Sequence, residues 1–159
     1  MMAFGGHGIR GLNTAALGKL QDYVIATTDA SAPNDATSRD PGLLHISQQL
    51  MRDNALDFVD LVRAADVVVT KPGYSIISEA IANRTALLYT SRADFVEYDV
   101  LAKEMPRYLN VEFIAQEALL NGDWNAALRR LVSRPAPAER PALNGADVAA
   151  EAILTRIRI

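Results

Sequence analysis

Cysteine is missing altogether from the 159 residues. No disulfide framework and no thiolate-held zinc can be built without it. Histidine is nearly as scarce, with only His7 and His45. Two imidazoles without an evident third ligand make a poor metal site. No Asp-x-Asp pair occurs either. Nothing therefore supports a Mg²⁺ held by such a pair, and chemistry without metal or cofactor is the expectation. Positive charge is not in excess: 16 Lys and Arg against 19 Asp and Glu leave a formal charge of −3. No face is strongly basic, so nucleic acid is not an expected partner. No apolar run approaches the roughly 20 residues that cross a bilayer, so membrane association is not expected. No secretory leader is recognisable at Met1, and a cytoplasmic location is the expectation.

What is present is a chain half of whose residues are apolar, enough to bury a real core. Its length suits one domain, expected to cover residues 1–159. The stretch 63–97 organises the rest. Residues 66–70 read as a short buried strand. Pro72-Gly73 then breaks the chain, and a helix starts at Tyr74 or Ser75. Ile76, Ile77, Ala80 and Ile81 give it an apolar stripe at helical spacing. Residues 86–90 form a second buried strand. This βαβ unit predicts a parallel sheet with a right-handed crossover.

The same alternation runs from end to end. Residues 5–11 form a glycine-rich turn, 14–20 a helix, 23–28 a strand and 43–47 another. Residues 29–42 are polar and read as a loop. The 48–54 stretch is undecided. Residues 56–64 read as a helix with Leu56, Val59 and Val62 on one stripe, widened by Phe58 and Leu61. Residues 95–105 read as a helix that stops before Pro106, and 111–114 as a strand. Helices follow at 116–120 and 124–132, with Trp124, Ala127, Leu128 and Leu131 in the core. A proline-rich linker, 135–143, leads to a last helix at 144–158 capped by Asn144. The economical architecture is a three-layer α/β/α sandwich on a Rossmann-like parallel sheet. The strand ahead of Gly5 is a stub, so the chain is expected to begin part-way into a larger protein.

Ligands of such sheets sit beyond the carboxyl ends of the strands. Lys71, Gly73, Ser75, Glu79, Arg92 and Glu97 fall at or near that edge. At Lys71-Pro72-Gly73 a cation precedes a helix start whose unpaired N–H groups suit an anion. The other reading is an ordinary strand-to-helix turn with Lys71 in solvent. Glu79 lies four residues after Ser75, on the same side of the helix. It could accept two hydroxyl hydrogen bonds from a ribose, or simply complement the helix dipole. Arg92, Asp94, Glu97 and Asp99 form a charge cluster that could equally be plain surface. Gly6-His7-Gly8-Ile9-Arg10-Gly11 matches G-x-G-x-x-G, with Asp29 after the next strand. This leaves open an NAD site using Gly6–Gly11 and Asp29, against a structural or phosphate-facing turn.

The run Ala64-Ala65-Asp66-Val67-Val68-Val69-Thr70-Lys71-Pro72-Gly73, followed by Ser78-Glu79-Ala80, resembles the donor-binding half of GT-B glycosyltransferases. The group is that of bacterial lipid II-forming N-acetylglucosaminyltransferase and plant galactolipid synthases. The run is also similar to the glycosyltransferase-like N-terminal half of plant arabinose kinases. The resemblance implies a Rossmann-like domain that binds a UDP-sugar, one half of a GT-B fold. It places Gly5 and Gly6 at the turn near the diphosphate and acceptor. It puts Asn54, Ala55 and Leu56 at a backbone segment reading the uracil edge. Lys71 takes a diphosphate-binding position, and Tyr74, Ser75 and Ile76 the helix start that holds the phosphates. Glu79 matches the acid on both ribose hydroxyls, and Glu97 the acid of the sugar-binding pair. Ile76 departs from the usual Ser or Thr, and Val96 replaces the first acid of that pair. The resemblance further implies a missing N-terminal acceptor domain that supplies the general base. The implied activity is hexosyl transfer, with this half alone binding rather than turning over. A non-catalytic nucleotide-binding module stands beside that reading. Apolar surface left by the absent half is expected to favour a homodimer.

Overall fold

The computed structural model describes the chain apart from residues 6–8, 18–19, 21, 29–42, 93–94 and 158–159. Among the described residues the strands are β1 (Met2–Ala3), β2 (Ile25–Thr27), β3 (Leu43–His45), β4 (Val67–Thr70), β5 (Ala86–Tyr89) and β6 (Val111–Phe113). They form one sheet in the order β3-β2-β1-β4-β5-β6, and every pairing is parallel. This is the doubly wound order, in which the winding reverses between β1 and β4. The expected Rossmann-like α/β sandwich is what the chain folds into.

The helices are α1 (Thr14–Leu17), α2 (Gln48–Asp53), α3 (Phe58–Ala64), α4 (Tyr74–Asn83), α5 (Tyr98–Glu104), α6 (Gln116–Asn121), α7 (Asn125–Val132) and α8 (Gly145–Ile157). All four residues of β4 are buried, which explains why its sequence runs Val-Val-Val-Thr instead of alternating. The pleat sends them to opposite sides. Val67 and Val69 join Met2, Leu17, Ile25, Leu88, Leu119, Trp124 and Leu128 in one cluster. Val68 joins Val62, Ile77, Ala80, Leu87 and Met105 in the other.

At the reversal point, Val69 aligns with Met2 and Thr70 with Ala3. The Thr70 hydroxyl donates to the Ala3 carbonyl at 2.6 Å, fastening the end of β4 to the end of β1. The predicted strand 66–70, helix from Tyr74 and strand 86–90 all appear within a residue of their expected bounds. Trp124 is buried, as expected, and its indole N–H donates to the Leu119 carbonyl at 2.9 Å.

Several expectations shift. The undecided 48–54 stretch is helical, because the Ser47 hydroxyl accepts from the Leu50 N–H and caps the start of α2. The helix expected at 56–64 begins at Phe58. The Asp57 N–H is taken by the Asp60 carboxylate at 2.8 Å, which sets the helix start there. Of the stripe, only Val62 is buried; Leu56 and Val59 are exposed. The helix expected from 95 starts instead at Tyr98, which leaves Phe95 in the preceding loop. α5 does stop before Pro106, at Glu104, and a 3₁₀ turn, Met105–Arg107, follows it and buries Met105. α8 buries none of its side chains. No helix among the described residues is long and apolar enough to cross a membrane.

Candidate functional site

The carboxyl edge around the reversal point is built from the ends of β1, β4 and β5. Beyond β1 the chain turns at Gly5, whose φ of +71° is a conformation that glycine adopts without penalty. Gly6, His7, Gly8 and Asp29 lie outside the described residues. Beyond β4, Lys71 is half-buried and Pro72 buried. α4 opens at Gly73, which has no side chain to cap the first turn. The first-turn amides of Tyr74, Ser75 and Ile76 thus carry the positive end of the helix dipole. Ile76 brings no hydroxyl to this turn.

Gly73 is extended, with φ −161°, so its backbone does not require glycine. Its neighbour explains the residue better. A Cβ at Gly73 would lie 3.0 Å from Nη1 of Arg92. Arg92 comes from the loop after β5 and donates through Nη1 to the Pro72 carbonyl at 3.1 Å. Its guanidinium also sits 4.2 Å above the centre of the Phe95 ring. Phe95 in turn meets Tyr74 edge-on, with ring centres 6.4 Å apart. The structure therefore brings together Arg92, Gly73 and Tyr74. Phe95, which the sequence reading left inside a helix, joins them. The Arg-x-x-Phe spacing was the available signal.

Glu79 lies in the second turn of α4. Its Oε2 is shut off from solvent and has no hydrogen-bond partner. Desolvation raises the pKa of this carboxyl above its ordinary value. A group in that state is short of donors, and a vicinal diol could supply them. Thr90, fully buried just past β5, also has an unpartnered hydroxyl. It lies beside the reversal point, since its N–H donates to the Thr70 carbonyl at 3.2 Å.

The remaining predicted residues are placed differently. Glu97 is exposed at the start of α5, and its carbonyl accepts from the Leu101 N–H. Asn54, Ala55 and Leu56 connect α2 to α3. The N–H of Ala55 goes to the Arg52 carbonyl at 3.2 Å and that of Leu56 to the Met51 carbonyl at 2.9 Å. These amides close the end of α2 and are not free to donate to a ligand.

Ser75, Tyr74, Arg92 and Glu97 are all exposed. A cavity of about 760 Å³ lies instead where the strands begin, lined by Asp66, Thr85 and Asn110 together with Pro137 and Glu139 of the linker. None of the predicted site residues lines it. Among the described residues no group of three or more His, Asp or Glu could hold a metal ion.

The chain is similar to an L-arabinokinase from Arabidopsis thaliana, 33% identical over 92 residues. The alignment covers 57% of this chain and 9% of the relative. The chain thus spans a small part of that protein's length. No family model matches the chain, and no solved structure matches it. The all-parallel sheet and this likeness fit a nucleotide- or sugar-binding domain.

Proposed function

We propose that this chain is the nucleotide-sugar-binding domain of a GT-B-type glycosyltransferase, with a UDP-sugar as its ligand. The observation that carries the reading is Glu79: a solvent-excluded, unpaired carboxylate oxygen on the helix that opens beyond β4. With the carboxylate of this half-buried side chain turned outward, ribose hydroxyls would give that oxygen the donors it lacks. The relative's name refers to a kinase of a sugar, which supports a sugar-directed ligand without supplying the reaction.

In this reading the diphosphate lies against the first turn of α4, between Lys71 and Arg92. The uracil edge meets the carbonyls of Ala55 and Leu56. The hexose extends towards Gly5 and Glu97. When an acceptor oxygen attacks the anomeric carbon, the bond to the diphosphate breaks and its negative charge grows. Two cations and the free amides of one helix turn stabilise that charge. The acceptor and the base that takes its proton come from a second domain. The 159 residues alone bind without turning over.

Thermal shift with UDP, UDP-sugars, GDP, NAD and ATP tests this. UDP and at least one UDP-sugar are expected to stabilise the chain, by about 2.7 kcal/mol at 100 times Kd. Glu79→Ala is expected to abolish the shift. Stabilisation by NAD alone, or no response to UDP at millimolar concentration, overturns the reading.

A further inference from the structure

Arg92 occupies a position that electrostatics disfavours. A helix start is the positive end of the dipole, and cations gain nothing there. The guanidinium is nonetheless held at the mouth of α4 by three separate features. The Pro72 carbonyl accepts from it at 3.1 Å. The Phe95 ring lies 4.2 Å beneath it. Gly73 leaves out the one carbon that would come within 3.0 Å of Nη1. Phe95 is itself braced by the edge of Tyr74.

We infer that Phe95 is a positioning residue: its ring holds the Arg92 guanidinium beside the first turn of α4, where the cation and the amides together grip a diphosphate. The inference deepens the reading above and rests on it for the nucleotide, though not for the anion. Among the described residues Arg92 donates to Pro72 through Nη1, which leaves its other N–H groups for an anion. A guanidinium has five donors in a rigid fork, and one carbonyl uses one of them. Lysine could not divide itself in this way between a ring, a carbonyl and a phosphate.

The test is calorimetric titration of wild type, Phe95→Leu, Phe95→Tyr and Arg92→Lys with inorganic pyrophosphate, UDP and uridine, at low salt. Thermal melting of each variant checks that it folds. Phe95→Leu is expected to weaken pyrophosphate and UDP about 2- to 5-fold, the worth of an exposed cation–π contact. Uridine binding is expected to stay unchanged. Phe95→Tyr, which keeps the ring, should restore wild-type affinity for both anions, and Arg92→Lys should not bind them as wild type does. Equal pyrophosphate affinity in wild type and Phe95→Leu overturns the inference. So does an equal loss for uridine and UDP, which would mean general damage to the site, and so does failure of wild type to bind pyrophosphate. Pyrophosphate binding that depends on Phe95, without any binding of UDP or uridine, leaves the inference standing and defeats the nucleotide-sugar reading instead.

Discussion

A carboxylate oxygen without water or a donor costs the ligand-free fold free energy, and Glu79 carries that cost. Its glutamine counterpart cannot ionise. Glu79→Gln is therefore expected to stabilise the ligand-free chain at pH 7 by about 1 kcal/mol, the low end for an unpaired polar group because the side chain is only partly buried. The sign follows from the raised pKa. Between the ordinary value of 4.5 and the higher folded value, the unfolded chain has already lost the proton that the folded chain keeps. Stability from this group is thus lost as pH rises through that window. At pH 4 the two proteins should be nearly equal. Urea denaturation at pH 4 and pH 7 measures the difference, and a Glu79→Gln protein no more stable at pH 7 would refute it. Glu79 was legible from its spacing after Ser75, since four residues return a helix to one face. Phe95 was not, because apolar spacing carried the predicted helix three residues too far towards it. Thr90 was hidden too, as nothing in a sequence says which hydroxyl goes unpaired.

Helix ends show where local signals failed. α4 ends on Arg84 with φ +60°, where the N–H of Thr85 reaches back to the Ala80 carbonyl. α6 ends on Gly122 with φ +77° and the same bonding, from Asp123 to Ala118. Glycine suits this left-handed position and arginine does not. Arg84→Gly is expected to stabilise the chain by about 0.5–1 kcal/mol. Gly122→Ala is expected to cost about 2 kcal/mol or more, since its Cβ would also lie 2.8 Å from that of Ala16. Shifts of opposite sign in the urea midpoint are the expected result. The strands and α4 were readable because buried runs and an apolar stripe advertise them. The ends at Ala55 and Arg84 were not, for want of a glycine to mark them. Leu56 and Val59 misled for a different reason: their spacing was helical, but the cap at Asp57 set where the helix begins.

For the 159-residue chain as a whole, when its amino terminus is free, pH dependence near neutrality is expected from Met1. The Met1 ammonium donates to the Val67 carbonyl at 2.7 Å. Burial lowers its pKa from 8.0 to about 6, against the pull of Asp66. Between those values the unfolded chain holds the proton and the folded chain does not. Stability therefore rises with pH across the window, by roughly 2–3 kcal/mol when complete. Melting temperatures at pH 5.5 and 8.5 test this, with an N-acetylated chain as the control that lacks the effect. α8, which buries nothing, is expected to contribute little. Ending the chain after Leu143 should change stability by less than about 0.5 kcal/mol. The sheet order could be anticipated only as parallel and doubly wound, because strand neighbours are set by long-range packing that no local pattern records. That order has a consequence of its own. The two apolar clusters lie on opposite sides of the sheet and meet only through its strands. Defects at Ile77 and Leu128 should accordingly sum like unrelated events. A lineage can then remodel the layer beneath α4, shifting the helix that opens beyond β4, while the layer under α7 drifts on its own schedule.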